Sequence, residues 1–276
     1  MKKLFLISML TSVLISCNSD ISKSKNNNPH KKSVGAGEDF IRAISKEQEQ
    51  EILLLIQLFK KNDIDRIVDR IAYPLHRDYP IPAIENKEQM RTRFYEVFDE
   101  KLITEIASSN VGDWSTVGWR GIMLDQGIVW LSDDAKSITG INYQSSDEKV
   151  IYDKLIETQK AYVHESISRF KRPVLSLITA NYMVRIDEMS DETYRYSSWK
   201  LGVKQTEKPD LILTNGVLDF SGSSGNHVYT FTQGRFTYRV YRNLLGEGNY
   251  SPVRLEVEKE DKVIINQTGS LLHEQI

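Results

Sequence analysis

Residues 235–242 read RFTYRVYR, and the period of that stretch decides how the second half of the chain folds. Phe236, Tyr238 and Val240 fall on one side of an extended segment, and Arg235, Thr237, Arg239 and Tyr241 fall on the other. Alternation of this kind marks a β-strand with one face in a core and the other in water. The same texture continues in both directions. PVLSLITA, YMVRIDEM, TYRYSSWK, DLILTNG, VLDFSG, HVYTFTQG and VRLEVEKEDKVIINQTG, between residues 173 and 269, alternate with turn residues at nearly regular spacing. That spacing predicts a small antiparallel barrel or sandwich. Asn215-Gly216 stands between two apolar runs, a strong two-residue hairpin signal, and is expected to turn the chain between two strands.

Upstream the period changes. Residues 146–165, SDEKVIYDKLIETQKAYVHE, read as a helix bridging two halves. Before it the chain opens with helices. Ser45 followed by Gln48 has the form of a capping box, and EILLLIQLFKK then carries a wide apolar stripe. Asn62 and Asp63 interrupt it, and Ile64, Ile67, Val68 and Ile71 resume at helical spacing. YPLHRDYPIPAIENK, with three prolines, is expected to be an ordered loop or extended segment. Asn86 with Gln89 caps a third helix carrying Met90, Phe94, Val97 and Phe98, and Leu102, Ile103 and Ile106 mark a fourth. GWRGIML, GIVWL and SITGINY then alternate as three short strands separated by DQG and SDDAK, an antiparallel meander. Helices followed by a meander predict an α+β class, with helices packed on a curved antiparallel sheet and an all-β small barrel or sandwich after it.

YPL after two helices, ENKEQMRTRFYEVFDEKLITEI as the next helices, and GWRGIMLDQGIVWL with SITGIN as paired strands resemble the nuclear transport factor 2-like cone, also called the SnoaL-like fold. In particular they resemble its small bacterial secreted branch. The resemblance spans about residues 45–145 and implies a pocket between the long loop and the concave sheet. That fold hosts isomerases, dehydratases, binding modules and inert scaffolds, so it implies no single activity. No counterpart of its enzymes' acid and base is placed here. The implied pocket would draw on His76 and Asp78 from the loop, and on Trp119, Arg120, Trp130 and Tyr143 from the strands. Tryptophan and tyrosine give rigid apolar contact with one polar handle, and arginine offers a fork for a carboxylate or phosphate. Counting outward from the DQG turn puts Trp119 and Trp130 on one face for an apolar or sugar ligand. Arg120 is then left to an ion pair with Asp78 or Asp113.

The remaining signals for chemistry are sparse. The five histidines, His30, His76, His164, His227 and His273, do not pair at metal-ligand spacing, and Cys17 is the only cysteine, so neither a metal site nor a cofactor is expected. SGSSGNH fails the G-x-S-x-G spacing of a nucleophile elbow and joins two strands, which makes it a flexible turn. GEGN, around Gly246, lacks the strand-to-helix setting of a phosphate loop.

The lone cysteine reads as an anchor. Lys2 and Lys3 precede an uncharged apolar run, Leu4 to Ser16, which is too short to span a bilayer. LISC at its end resembles the lipobox of bacterial lipoproteins, which implies that Cys17 becomes acylated and starts the mature chain. The expected organisation is therefore a signal peptide at 1–16, a flexible Ser/Asn/Lys-rich tether at 17–39, an α+β cone-like domain with the bridging helix at 40–165, and a β-domain at 166–276. Disulfides are excluded by the cysteine count. The formal net charge of −2, more acidic once Lys2 and Lys3 leave with the leader, argues against nucleic acid. These features point to the bacterial cell envelope. Asn18 in the second mature position is not the aspartate that retains lipoproteins in the inner membrane of enteric bacteria, so the outer membrane is the expected destination. The function expected is non-enzymatic binding of a small ligand, a glycan or another envelope protein. The alternatives are a hydrolase or proton-transfer enzyme using the cone pocket, or an inhibitor of a secreted hydrolase.

Overall fold

The structure, a computed structural model, describes residues 42–221, 225–244 and 251–272. The expected leader, Cys17, the tether, His30 and His273 lie outside these residues, as do parts of SGSSGNH and GEGN.

The first and third helices begin where their caps predict. Helix α1 (Lys46–Lys60) starts at Ser45, whose hydroxyl accepts from the Gln48 amide while the Gln48 side chain accepts from the Ser45 amide. This reciprocal pair satisfies two of the free N–H groups at the helix end. Asp63 caps α2 (Ile64–Asp69), Asn86 caps α3 (Lys87–Val97) and Asp99 caps α4 (Glu100–Ser108). A four-stranded antiparallel sheet follows in sequence order, β1 (Trp114–Thr116), β2 (Ile122–Leu124), β3 (Val129–Leu131) and β4 (Ile138–Ile141). The DWSTVGWRG stretch departs from expectation here: WST pairs as an additional strand, and GWR forms a single 3-10 turn instead of entering β2.

Ile122, Leu124, Val129, Leu131 and Ile138 project from the sheet into one core with Ile52, Leu55 and Phe59 of α1, Phe94 of α3, Leu102 of α4, and Phe98. Phe98 packs 5.4 Å from Phe59 and 4.9 Å from Phe94, centroid to centroid. The inner face of this sheet is occupied by close-packed apolar side chains.

Helix α5 (Ser146–Tyr162) leads through residues 163–171 into eight antiparallel strands: β5 (Arg172–Thr179), β6 (Tyr182–Glu188), β7 (Tyr194–Lys200), β8 (Leu211–Ser221), β9 (Asn226–Gln233), β10 (Phe236–Arg242), β11 (Val253–Lys259) and β12 (Lys262–Leu271). Each pairs with its sequence neighbour, and β12 returns to β5, closing an up-and-down barrel. The closing seam is short: among the described residues, Gly269, Ser270 and Leu271 pair with Thr179, Ile178 and Leu177. A Cβ on Gly269 would lie 2.4 Å from the Ile178 carbonyl oxygen, so glycine permits the close approach.

Phe236, Tyr238 and Val240 face the barrel core, as their alternation predicts, with Val184, Ile186, Tyr196, Phe231 and Leu255. Asn215-Gly216 does not turn the chain. TNGV lies inside the single strand β8, and the register slips there, Tyr194 opposing Gly216 while Tyr196 opposes Leu213. This is a β-bulge with Asn215 at φ +59°. Gly216 points inward, where a Cβ would lie 2.1 Å from the Phe231 ring. Asn-Gly supplies a left-handed residue and an absent side chain, and a bulge against an aromatic ring needs both as much as a hairpin does. A two-residue reversal falls instead at Glu260-Asp261, both with positive φ, between β11 and β12.

Candidate functional site

The residues expected to form a pocket in the first half are placed apart. His76 and Asp78 are exposed, while Leu75 and Arg77 between and beside them turn inward. Arg77 donates from Nε and Nη2 to both carboxylate oxygens of Glu148, at 2.6 and 2.5 Å, and also to the Ile141 and Tyr143 carbonyls. That fork ties the proline-rich loop to the first turn of α5. Tyr143 donates its hydroxyl to Asp99 at 2.7 Å, and burial, reinforced by Asp99, pushes its pKa up to about 12. Trp119 is 65% exposed on the 3-10 turn, off the strand that would have paired it with Trp130. Trp130 lies on the solvent side of β3, its ring close to Gly127, and the guanidinium of Arg120 sits 6.0 Å from its centroid. The structure thus brings Arg120 to Trp130, and leaves Trp119, His76, Asp78 and Tyr143 in other settings.

Polar and aromatic groups converge instead around the β6–β7 turn of the barrel. Asp191 Oδ1 accepts from both the amide and the hydroxyl of Thr193, and Glu192 takes φ +66° to complete the turn. On one side the β8 bulge carries Thr214 and Asn215. On the other, residues 167–169 are held by Arg195, which donates to the Ile167 and Arg169 carbonyls. Between these walls lies a groove of about 700 Å³ with Phe170 in its lining. Ser168, Ser190, Thr193, Thr214 and Asn215 line it with hydroxyls and an amide, and Lys160 and Arg169 supply positive charge. Lys160 is paired with Glu157 at 2.8 Å, whereas the Arg169 guanidinium has no partner among the described residues.

A smaller groove, about 480 Å³, flanks the other side of the same turn and shares Thr193. Glu188 lines it and bridges Lys171 at 2.5 Å and Arg172 at 2.7 Å. Burial opposes ionisation of Glu188, but the two cations win and hold its carboxyl below the usual range. Tyr194 forms the inner wall, with Tyr229 4.9 Å behind it and His227 5.3 Å beyond that. His227 Nδ1 lies 2.8 Å from the Gly225 carbonyl and Nε2 lies 3.3 Å from the Tyr229 hydroxyl. A neutral ring with the proton on Nδ1 satisfies both contacts. Burial, with Arg242 nearby, lowers its pKa accordingly.

This arrangement can hydrogen-bond a polyhydroxylated surface, while the buried Phe170, with Arg185 4.9 Å and Lys160 5.7 Å from its ring centroid, packs beneath it. Among the described residues no three His, Cys, Asp or Glu side chains are grouped to hold a metal ion. Sequence reasoning missed Phe170, Thr214 and Asn215. The available signal was Asn-Gly within one continuous alternating run, where a bulge competes with a hairpin.

The described chain is therefore of the α+β class, a helix-covered antiparallel sheet followed by a closed eight-stranded up-and-down barrel. Searches of family models, curated proteins and solved structures return no match to it.

Proposed function

We propose that this chain is a lipid-anchored protein of the bacterial envelope, carried on acylated Cys17 at the outer membrane, and that it binds glycans without transforming them. Its helical half is of the cone type, with α1 to α4 over a concave sheet, and serves as a scaffold because its interior is filled. The barrel carries the binding surface. The single observation behind this reading is the groove beside the β6–β7 turn, lined by five hydroxyl or amide side chains and two cationic ones, with the buried Phe170 at its base. Sugar hydroxyls are recognised by convergent hydrogen-bonding groups of this kind.

Calorimetric titration of the full chain with peptidoglycan disaccharide fragments and lipopolysaccharide core sugars tests the site. Binding by one of them, weakened about tenfold in a Thr214→Val, Asn215→Gly double variant of unchanged unfolding midpoint, is the expected result. Flat titrations with both ligands exclude the glycan reading. The anchor is tested separately by metabolic labelling with an alkynyl fatty acid: the wild-type chain takes the label and Cys17→Ser does not. An unlabelled wild type removes the anchor from the proposal.

A further inference from the structure

Beneath residues 163–170, the outer face of β6 and β7 buries charge inside an apolar shell. Arg185, Asp187 and Arg195 have side chains 2%, 0% and 5% exposed, and Ser197 beside them is fully buried. Ile156, Val163, Ile167, Phe170, Met183 and Trp199 enclose them. Asp187 accepts from Arg185 Nε at 2.7 Å and from Arg195 Nη2 at 2.6 Å. Arg185 Nη1 reaches Gln205, and Arg195 uses its remaining forward nitrogen on the Arg169 carbonyl.

Three polar atoms are left without partners: Arg185 Nη2, Arg195 Nε and the Ser197 hydroxyl. They belong to one neighbourhood. Arg185 and Ser197 are directly opposed across β6 and β7, and Arg195 stands two residues along on the same face. Phe170 lies 4.9 Å from the Arg185 guanidinium, and its ring offers no lone pair to the N–H groups. Among the described residues the one carboxylate hydrogen-bonded to these two guanidiniums is Asp187, so the cluster carries a surplus positive charge. Buried donors and buried net charge are each costly when uncompensated.

We infer that this cluster binds a monovalent anion of the halide class, held by Arg185 Nη2, Arg195 Nε and Ser197 Oγ. An anion is an acceptor only, and it answers the unpaired donors and the surplus charge together. A water molecule could answer the donors but would leave the surplus charge in place. The bound ion acts as a rivet. It neutralises the surplus charge beside Arg195, whose guanidinium fixes residues 167–169, and so secures the segment joining α5 to the barrel.

The test is thermal unfolding of the full chain in sodium chloride and in sodium gluconate at matched ionic strength, gluconate being a bulky organic anion outside the halide class. The midpoint should climb with the logarithm of chloride concentration, as linkage to a native-state ligand requires, and stay level in gluconate. Ser197→Ala should fold and need about tenfold more chloride for the same rise. Equal midpoints in the two salts overturn the inference. So does a Ser197→Ala chain that is more stable in both salts alike, the behaviour of a hydroxyl that was simply unsatisfied. Bromide soaked into crystals of the wild-type protein gives an independent reading that does not depend on the variant. An anomalous peak within hydrogen-bonding reach of Arg185 and Ser197 supports the site, and its absence there rejects it.

Discussion

Glu188 sets the pH response expected at the barrel's end. Its carboxyl is held below the ordinary glutamate value near ~4.3 despite burial, because Lys171 and Arg172 both donate to it. A depressed folded pKa contributes stability that is fully present above the unfolded value and is lost as pH falls through the folded one. Urea unfolding midpoints measured from neutral pH down through the carboxylate range should therefore fall less steeply in Glu188→Gln than in the parent chain. Parallel slopes would mean that the bridge adds nothing. Arg77 teaches a different lesson at this scale. His76 and Asp78 attracted attention as chemistry-bearing residues, yet Leu75 and Arg77 are the inward members of an extended segment and His76 and Asp78 the outward ones. Alternation within YPLHRD was legible. What the residue types could not supply was the partner, because Glu148 lies on a helix 71 positions further along the chain.

Among elements, β8 bears the sharpest local constraint. Gly216→Ala would drive a methyl group into the Phe231 ring, since its Cβ falls 2.1 Å from that ring's edge. Overpacking of this kind costs about 1–3 kcal/mol. Asn215→Gly keeps the positive φ available and should shift stability by no more than about 0.5 kcal/mol. Equilibrium denaturation of the two variants checks the contrast, and a neutral Gly216→Ala would mean that the ring moves freely. Strand periodicity was readable in RFTYRVYR and its neighbours because the inward face is apolar and the outward face is charged. The bulge was not, since hairpin and bulge use the same dipeptide and differ only in what lies across the strand. The groove inherits that ambiguity, because Thr214 and Asn215 reach it only through the bulge. Trp119 failed for a related reason: Gly118 and Gly121, both with positive φ, coil GWR into a turn where strict alternation assumes an extended chain.

Across the whole molecule, α5 is the joint between halves. Glu148 in its first turn holds Arg77, and Ile156, with Val163 just past its end, packs on the outer wall of the barrel. A chain beginning at Ser145 should therefore form a firmer barrel than one beginning at Ser166. Burial of Ile156 and Val163 is worth about 3–6 kcal/mol. Urea denaturation of the two fragments reads the difference directly, and coincident curves would show that α5 covers the barrel without stabilising it. The strand spacing predicts a barrel or a sandwich, and what it leaves open is the choice between them, because closure depends on strands from opposite ends of the segment meeting each other. That meeting place is narrow. β5 and β12 share three paired residues, whereas β10 and β11 share seven. If any wall parts during thermal breathing, it is this one, and amides of Leu177 to Thr179 should exchange with solvent sooner than those of β10. A barrel unzipped along one line becomes a curled ribbon with two bare selvedges. Two such ribbons, each lending its β12 to the other's β5, would knit into a pair without remaking any other contact.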